Sequence, residues 1–282
     1  MLIFGQKKEI AMITFPNAKI NLGLYVERKR EDGYHDLSTV FYPIPLTDAV
    51  EVVEAKETAL FTYGNPVGCP PEKNLVMRAY RLMEEEFELP PVAIHLYKHI
   101  PDGAGLGGGS SDATSVAKIL NSMFALGLSE EGIAVRVKRL GADCPFFAYN
   151  RPMAARGIGD LLEPVDVDLR GYTMIVVKPD VSVPTAAAYA GVTPRVPETD
   201  VEKRVAKPVE QWKGLLVNDF EESIFPKHPE LSAIKQSLYD AGAVYASMSG
   251  SGSAIFGLFE DDNLSDKFAA KCAQPLLYKM KL

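Results

Sequence analysis

Cysteine is scarce in this chain. Three are present among 282 residues, Cys69, Cys144 and Cys272. They are odd in number, far apart and without metal-ligand spacing, so nothing encodes a disulfide framework or a cysteine metal site. A reducing cytoplasm fits that usage. Long apolar runs are missing too: none approaches the roughly 18 residues of a membrane-spanning helix. The opening "MLIFGQKKEIAM" has too short an apolar stretch for a signal peptide and no small-residue cleavage site; Met12 offers a second start, which would make the first eleven residues an extension. Positive charge is in deficit, with 30 Lys and Arg against 37 Asp and Glu, a formal net charge of -7. That balance gives no bulk attraction for nucleic acid or an anionic membrane. Internal repeats and low-complexity tracts are absent. The remainder, 47% hydrophobic and 24% charged, is globular composition, enough for one large domain or two ordinary ones.

Glycine, by contrast, is concentrated. "PDGAGLGGGSSDAT" puts five glycines into the seven positions from Gly103 to Gly109. Upstream, "VAIHLYKHI" alternates as a strand, with Val92, Ile94, Leu96 and Ile100 on one face and Ala93, His95, Tyr97 and His99 on the other. Downstream, Ala113, Val116, Ala117, Leu120, Met123 and Phe124 recur at helical spacing, with Ser or Asp as N-cap and Gly127 as C-cap. The loop therefore joins a strand to a helix N-terminus, which a flexible linker does not do.

Two nucleotide loops are disfavoured by what is missing. A Walker A loop requires Gly-Lys-Ser/Thr, and here Gly109 runs directly into Ser110. A dinucleotide fold matches Gly103, Gly105 and Gly108 but requires an acid at the end of the next strand; Glu130 and Glu131 open another predicted helix instead. A dinucleotide-dependent oxidoreductase is kept as the alternative from a different class. A different phosphate cradle remains, in which glycine lets backbone N–H groups approach phosphate and a helix N-terminus adds about half a positive charge.

Elsewhere, "ITFPNAKINLGLYVERK" reads as strands and "EDGYHDL" as a turn. "NLVMRAYRLMEEEF" reads as a helix capped by Asn74, and "SEEGIAVRVKRLG" as another. "DLRGYTMIVVKPDVSV" contains a buried strand. "TPRVPETDVEKRVAKP" reads as a polar surface connection. Helices are expected at about 208–225 and 229–241, then strand, glycine turn and strand in "AVYASMSGSGSAIFGLF". Interleaved strands and helices without regular βαβ units predict an α+β protein, with a domain boundary near residue 165, hence 1–165 and 166–282.

Candidate chemistry lies outside the loop as well. Lys19 is a cation on an otherwise apolar strand, an expensive place for an ammonium without a partner. Asp143 sits in a short break, "GADCPFF", that suits a general base. An ion pair between them, catalytic or purely structural, would satisfy both. His95 and His99 lie on a strand face, which disfavours a metal site. Cys144 reads as a packed small residue, and Trp212 as a core anchor.

"PNAKINLGL", "PDGAGLGGGSSDAT" and "MSGSGSAIFGLF", in that order, resemble the three motifs of the GHMP kinases, a superfamily of small-molecule kinases. "DGYH", "GLGGGSSDA", "LGADCPFF" and "PDVSVPTAAAY" resemble most closely its branch acting on a CDP-linked polyol in the non-mevalonate route to isoprenoid precursors. The resemblance implies an ATP-dependent kinase with an N-terminal domain of ribosomal S5 domain 2 type and a ferredoxin-like C-terminal domain. It implies Asp143 as catalytic base with Lys19 beside it. ATP, with Mg²⁺, would lie along Pro101, Asp102, Gly103, Ala104, Gly105, Leu106, Gly107, Gly108, Gly109, Ser110 and Ser111, with Asn74 and Lys98 near the adenine. Tyr34 and Tyr189 would sandwich the cytosine, His35 would read its edge, and Asn21 and Thr185 would contact polyol or diphosphate. A homoserine or mevalonate kinase is the alternative within the superfamily, and Tyr34-His35 argues against it.

Overall fold

The computed structural model describes residues 11–272, 274 and 276–282. The first ten residues, and with them nearly all of the expected extension, lie outside that range. In chain order the elements are β1 (Ala11–Thr14), β2 (Asn17–Lys29), β3 (His35–Thr47), β4 (Ala49–Glu54), β5 (Ala59–Gly64), α1 (Leu75–Phe87), β6 (Val92–Lys98), α2 (Gly108–Met123), α3 (Glu130–Val137), α4 (Cys144–Tyr149), β7 (Met153–Arg156), β8 (Leu161–Pro164), β9 (Thr173–Lys178), α5 (Thr185–Gly191), α6 (Val201–Val205), α7 (Phe220–Ile224), α8 (Pro229–Asp240), β10 (Tyr245–Met248), β11 (Ile255–Phe259), α9 (Asp262–Lys271) and β12 (Leu276–Lys281). The α+β expectation holds.

Two compact units form, each from separated stretches. The first combines the chain through Pro16 with Thr47–His99 and Gly109–Tyr149; the second combines Asn17–Leu46, Ile100–Gly108 and Asn150–Leu282.

The first unit is a four-stranded sheet, β1-β4-β6-β5, carrying helices on one face. Alternation in β6 works as read: Val92, Ile94 and Leu96 are buried beside Val50 and Val52 of β4, while Tyr97 is exposed. They pack against Tyr80 and Met83 of α1, Val116 and Leu120 of α2, and Ile133 and Val137 of α3. Each such side chain contributes about 1.5–3 kcal/mol over leaving it in water. Asn74 caps α1, its Oδ1 accepting the Val76 N–H at 3.0 Å. The expected cap of α2 needs correction. The helix already begins at Gly108, so Ser110, Ser111 and Asp112 lie inside its first turns.

The second unit holds two further four-stranded sheets, β2-β3-β7-β8 and β10-β11-β9-β12. One core cluster joins them through Ile20, Leu22, Val40 and Ile44 from the first sheet and Met174, Val176, Phe256 and Leu258 from the second. The opposite face of the second sheet, Ile175, Val177 and Ile255, packs against Phe220, Leu231 and Leu238 of α7 and α8. The segment read as a surface connection contains α6, whose Val201 and Val205 are buried in the first of these clusters. Two apolar residues one turn apart carry too short a period to read. The helix expected over 208–225 is instead a 3₁₀ turn at Val209–Gln211 followed by α7. Trp212 is buried as expected, its ring N–H donating to the Lys207 carbonyl at 2.8 Å and its edge meeting Tyr245.

Candidate active site

Within the second unit the glycine loop is shaped by alternation. Gly103, Gly105 and Gly107 take φ of +60, +76 and +71, while Ala104 and Leu106 between them plug the core. Three successive carbonyls are tied inward. Ala104 accepts the Ala254 N–H at 3.1 Å, Gly105 the Ser249 hydroxyl at 2.9 Å, and Leu106 the Lys19 N–H at 2.9 Å. The N–H groups of Gly105, Leu106 and Gly107 have no hydrogen-bond partner among the described residues. A run of uncommitted N–H groups leading into a helix N-terminus is an anion cradle. Gly105 is required by contact as well as by φ, since a Cβ there would lie 2.0 Å from the Ser249 carbonyl oxygen.

That contact brings in the second glycine turn. Gly250 packs on Gly105, where an added Cβ would come within 3.3 Å of Gly105 and 3.5 Å of Asn21 Oδ1. Lys19 is buried, donates to Asn21 Oδ1 at 2.7 Å and sits 4.8 Å over the Phe41 ring. Asn21 Nδ2 donates to Thr39 Oγ1 at 3.0 Å, and the Thr39 hydroxyl donates to the Gly23 carbonyl. Three motifs more than 200 residues apart in sequence at their extremes thus meet in one unit. Asn21, expected as a substrate contact, orients the lysine.

The turn before β3 is braced by its own charges. Gly33 takes φ +85, Asp32 accepts the Tyr34 N–H at 3.0 Å, and Arg30 donates to Asp32. Tyr34 is left 61% exposed. The ring facing Tyr189 is His35, stacked at 4.9 Å and 21°. Tyr34 makes no ring contact with Tyr189 among the described residues. Tyr189 is also held edge-on by Phe220 at 4.8 Å. Burial, with Lys29 adding to it, lowers the His35 pKa. Thr185 opens α5, and its hydroxyl lies 3.3 Å from that of Ser251 in the second glycine turn.

In the first unit, Asp143 immediately precedes α4 and is half-buried. Cys144 after it is buried, its thiol pushed up to about 11 by that burial, which makes it a poor nucleophile. Ser110 is partly accessible and Ser111 buried. Lys98, expected near adenine, is buried with its ammonium on Asp48 and, at 2.7 Å, on Asp112. Asp48 also accepts the His99 N–H at 2.6 Å, fixing the chain where it leaves β6. Burial alone lowers the Lys98 pKa, but the two carboxylates outweigh it and leave it raised. His95 stacks on Phe61 at 4.9 Å, and no group of three potential metal ligands occurs among the described residues.

Sequence reading missed Asp48, Asp112, Thr39 and Asn218. Only Asp112 left a trace: it sits four residues before Val116 on an apolar helix stripe, where an acid needs a partner.

The chain matches the family descriptions "GHMP kinases N terminal domain" over residues 74–151 and "GHMP kinases C terminal" over residues 204–276. The fold is thus that of a two-domain small-molecule kinase. A relative from Bacteroides thetaiotaomicron named 4-diphosphocytidyl-2-C-methyl-D-erythritol kinase is 52% identical over 255 residues, 89% of this chain and 93% of the relative. One of the same name from Porphyromonas gingivalis is 50% identical over 264 residues, 92% and 96% of the two chains. A crystal structure of 4-(cytidine 5'-diphospho)-2C-methyl-D-erythritol kinase superposes with a TM-score of 0.81 at 35% identity, covering 95% of this chain and 98% of its own. A crystal structure of L. major mevalonate kinase, with a TM-score of 0.70 at 15% identity, covering 97% of this chain and 96% of its own, shares the fold. The chain belongs to the 4-diphosphocytidyl-2-C-methyl-D-erythritol kinase family of the GHMP kinases.

Proposed function

We propose that this protein transfers the γ-phosphoryl group of ATP to a hydroxyl of 4-diphosphocytidyl-2-C-methyl-D-erythritol, in the cytoplasm and in the non-mevalonate route to isoprenoid precursors. The family's N- and C-terminal domains divide near residue 165. The observation that carries the phosphate chemistry is the loop from Gly103 to Gly109, with carbonyls turned inward and N–H groups uncommitted. The acceptor rests on relatives at about half identity that carry that name.

ATP lies along Pro101–Ser111, with Asn74 toward the adenine and Lys98 holding the loop's base through Asp48 and Asp112. Asp143 takes the hydroxyl proton as the acceptor oxygen bonds to the γ-phosphorus and the bond to the β-phosphate oxygen breaks, giving ADP. Lys19, aimed by Asn21, stabilises the charge developing on the transferred group. His35 and Tyr189 form a stacked platform for the cytosine, and the exposed Tyr34 ring closes over it. Stacking contributes about 1–3 kcal/mol per base. Thr185 meets the diphosphate or polyol. Magnesium carried on the ATP phosphates would neutralise their charge; the partly accessible Ser110 hydroxyl fits its water shell, and no carboxylate cluster is required.

The test is turnover of ATP with the cytidyl polyol, homoserine and mevalonate in parallel. Turnover of the cytidyl polyol alone is expected; turnover of another acceptor in its place overturns the reading. Asp143→Asn should remove at least about 10²-fold of the rate while ATP still binds. Unchanged turnover would remove Asp143 from this role.

A further inference from the structure

Asn218 lies in "VNDFE", before α7, in a stretch that the glycine motifs do not touch. It is 3% exposed, and its side chain is fully spent on backbone. Nδ2 donates one hydrogen to the Met248 carbonyl and the other to the Gly250 carbonyl, both at 2.8 Å. Oδ1 accepts the Phe220 N–H at 3.0 Å. Met248 ends β10 and Gly250 is in the glycine turn, so the amide spans the point where the strand opens into the loop.

The backbone around Asn218 is anchored in turn. The Leu24 N–H donates to the Val217 carbonyl at 2.8 Å, and the Asp219 N–H donates to the Leu24 carbonyl at 2.9 Å. Leu24 is on β2, the strand that carries Lys19 and Asn21. Three residues on, Glu221 accepts the Met248 N–H at 2.9 Å and is paired with Lys235. Both polar groups of the Met248 peptide region are thereby held by side chains from one five-residue stretch.

On the far side of the turn, Gly250 abuts Gly105 and Asn21, and Ser249 donates to the Gly105 carbonyl. One buried amide therefore sets the second glycine turn against two things at once: the phosphate loop at Gly105 and the Lys19–Asn21 pair. We propose that Asn218 is a positioning residue for phosphoryl transfer, fixing the height of the second glycine turn so that the phosphate loop and Lys19 stay in register. The inference rests on the reading that Gly103–Gly109 binds ATP and that Lys19 acts on the transferred group.

Asn218→Asp tests it. The shape is kept, but the one nitrogen that donates both hydrogens becomes an oxygen facing two carbonyls, so the turn must shift. Kinetics are read well below the unfolding midpoint, on protein whose near-ultraviolet circular dichroism matches wild type. The expected result is a kcat at least about tenfold lower and a KM for ATP raised more than the KM for the cytidyl polyol, because the aspartate keeps the oxygen that accepts the Phe220 N–H behind Tyr189. A purely structural amide would lower the midpoint and leave kcat and both KM values per folded molecule as in wild type, and that result overturns the proposal. Should Asn218→Asp not fold, Asn218→Ser removes the same two hydrogen bonds without adding an acid, and the same split decides. Wild-type protein that fails to turn over ATP and the cytidyl polyol would defeat the functional reading. An active wild type with unaltered constants in the folded variants would defeat only the role of Asn218.

Discussion

Replacing Asp112 by asparagine should uncouple stability from pH. In the first unit, Asp48 and Asp112 surround one ammonium, Lys98, and all three side chains are buried. Fully ionised, the cluster would keep one negative charge out of water, which is costly. Burial pushes the Asp112 acid from 3.8 up to about 8; Lys98 opposes the rise and Asp48 adds to it. Asp112 Oδ1 has no partner among the described residues, which suits a neutral acid better than a carboxylate. An acid whose folded pKa lies above its unfolded one stabilises fully below the unfolded value, and that contribution is lost as pH rises toward the folded value. The window here runs from 3.8 to about 8. Inside it, the folded protein holds one proton that the unfolded chain has released, so stability falls by about 1.4 kcal/mol per pH unit. From about pH 6 to about pH 7.5 the loss is about 2 kcal/mol. Asp112→Asn leaves Lys98 and Asp48 as a one-to-one pair and removes the linkage. Urea unfolding of both proteins at half-unit pH steps gives the difference directly, because groups that titrate alike cancel. The variant's advantage should grow with pH across this range. A difference that stays flat would refute the neutral assignment of Asp112.

Two further outcomes follow from geometry alone. Gly103→Ala meets no atom within 4 Å and bears only the φ of +60, so it should cost about 1–2 kcal/mol, whereas Gly105→Ala drives a Cβ to 2.0 Å from the Ser249 carbonyl and should cost at least about 3 kcal/mol and raise KM for ATP. Thermal unfolding and ATP titration of the pair check this, and equal effects would contradict the packing described. Cys69 is exposed and Cys144 buried with its thiol near 11, so a thiol reagent at pH 8 should label Cys69 rapidly and leave Cys144 unlabelled until the protein unfolds; peptide mapping decides, and early labelling of Cys144 would refute its burial.

What was legible in the sequence was local. The alternation of Val92, Ile94 and Leu96, the Asn74 cap and the strand-loop-helix setting of the glycines depend on neighbours a few residues apart. What was not legible depends on distant partners. Lys98 reads as a free cation until Asp48, 50 residues away, is folded against it. Asn218 is 32 residues from Gly250. The ring stack at Tyr189 shows the same limit. Turn chemistry located Tyr34 and His35, but which ring faces Tyr189 is decided by how the turn enters β3, and that ring is His35.

The interleaving of the two units has a consequence for synthesis. The first unit is complete in sequence once Tyr149 has been made. The second is not, for β2, β3, β7 and β8 are made by Pro164, while the strands that cover their inward face begin at Thr173 and end at Lys281. Ile20, Leu22, Val40 and Ile44 therefore stay only partly covered after β9 is made, until Phe256 and Leu258 of β11 follow. A ribosome-bound chain of this protein passes through a stage with one finished unit and one exposed apolar sheet, and that stage is where chaperone capture and aggregation concentrate.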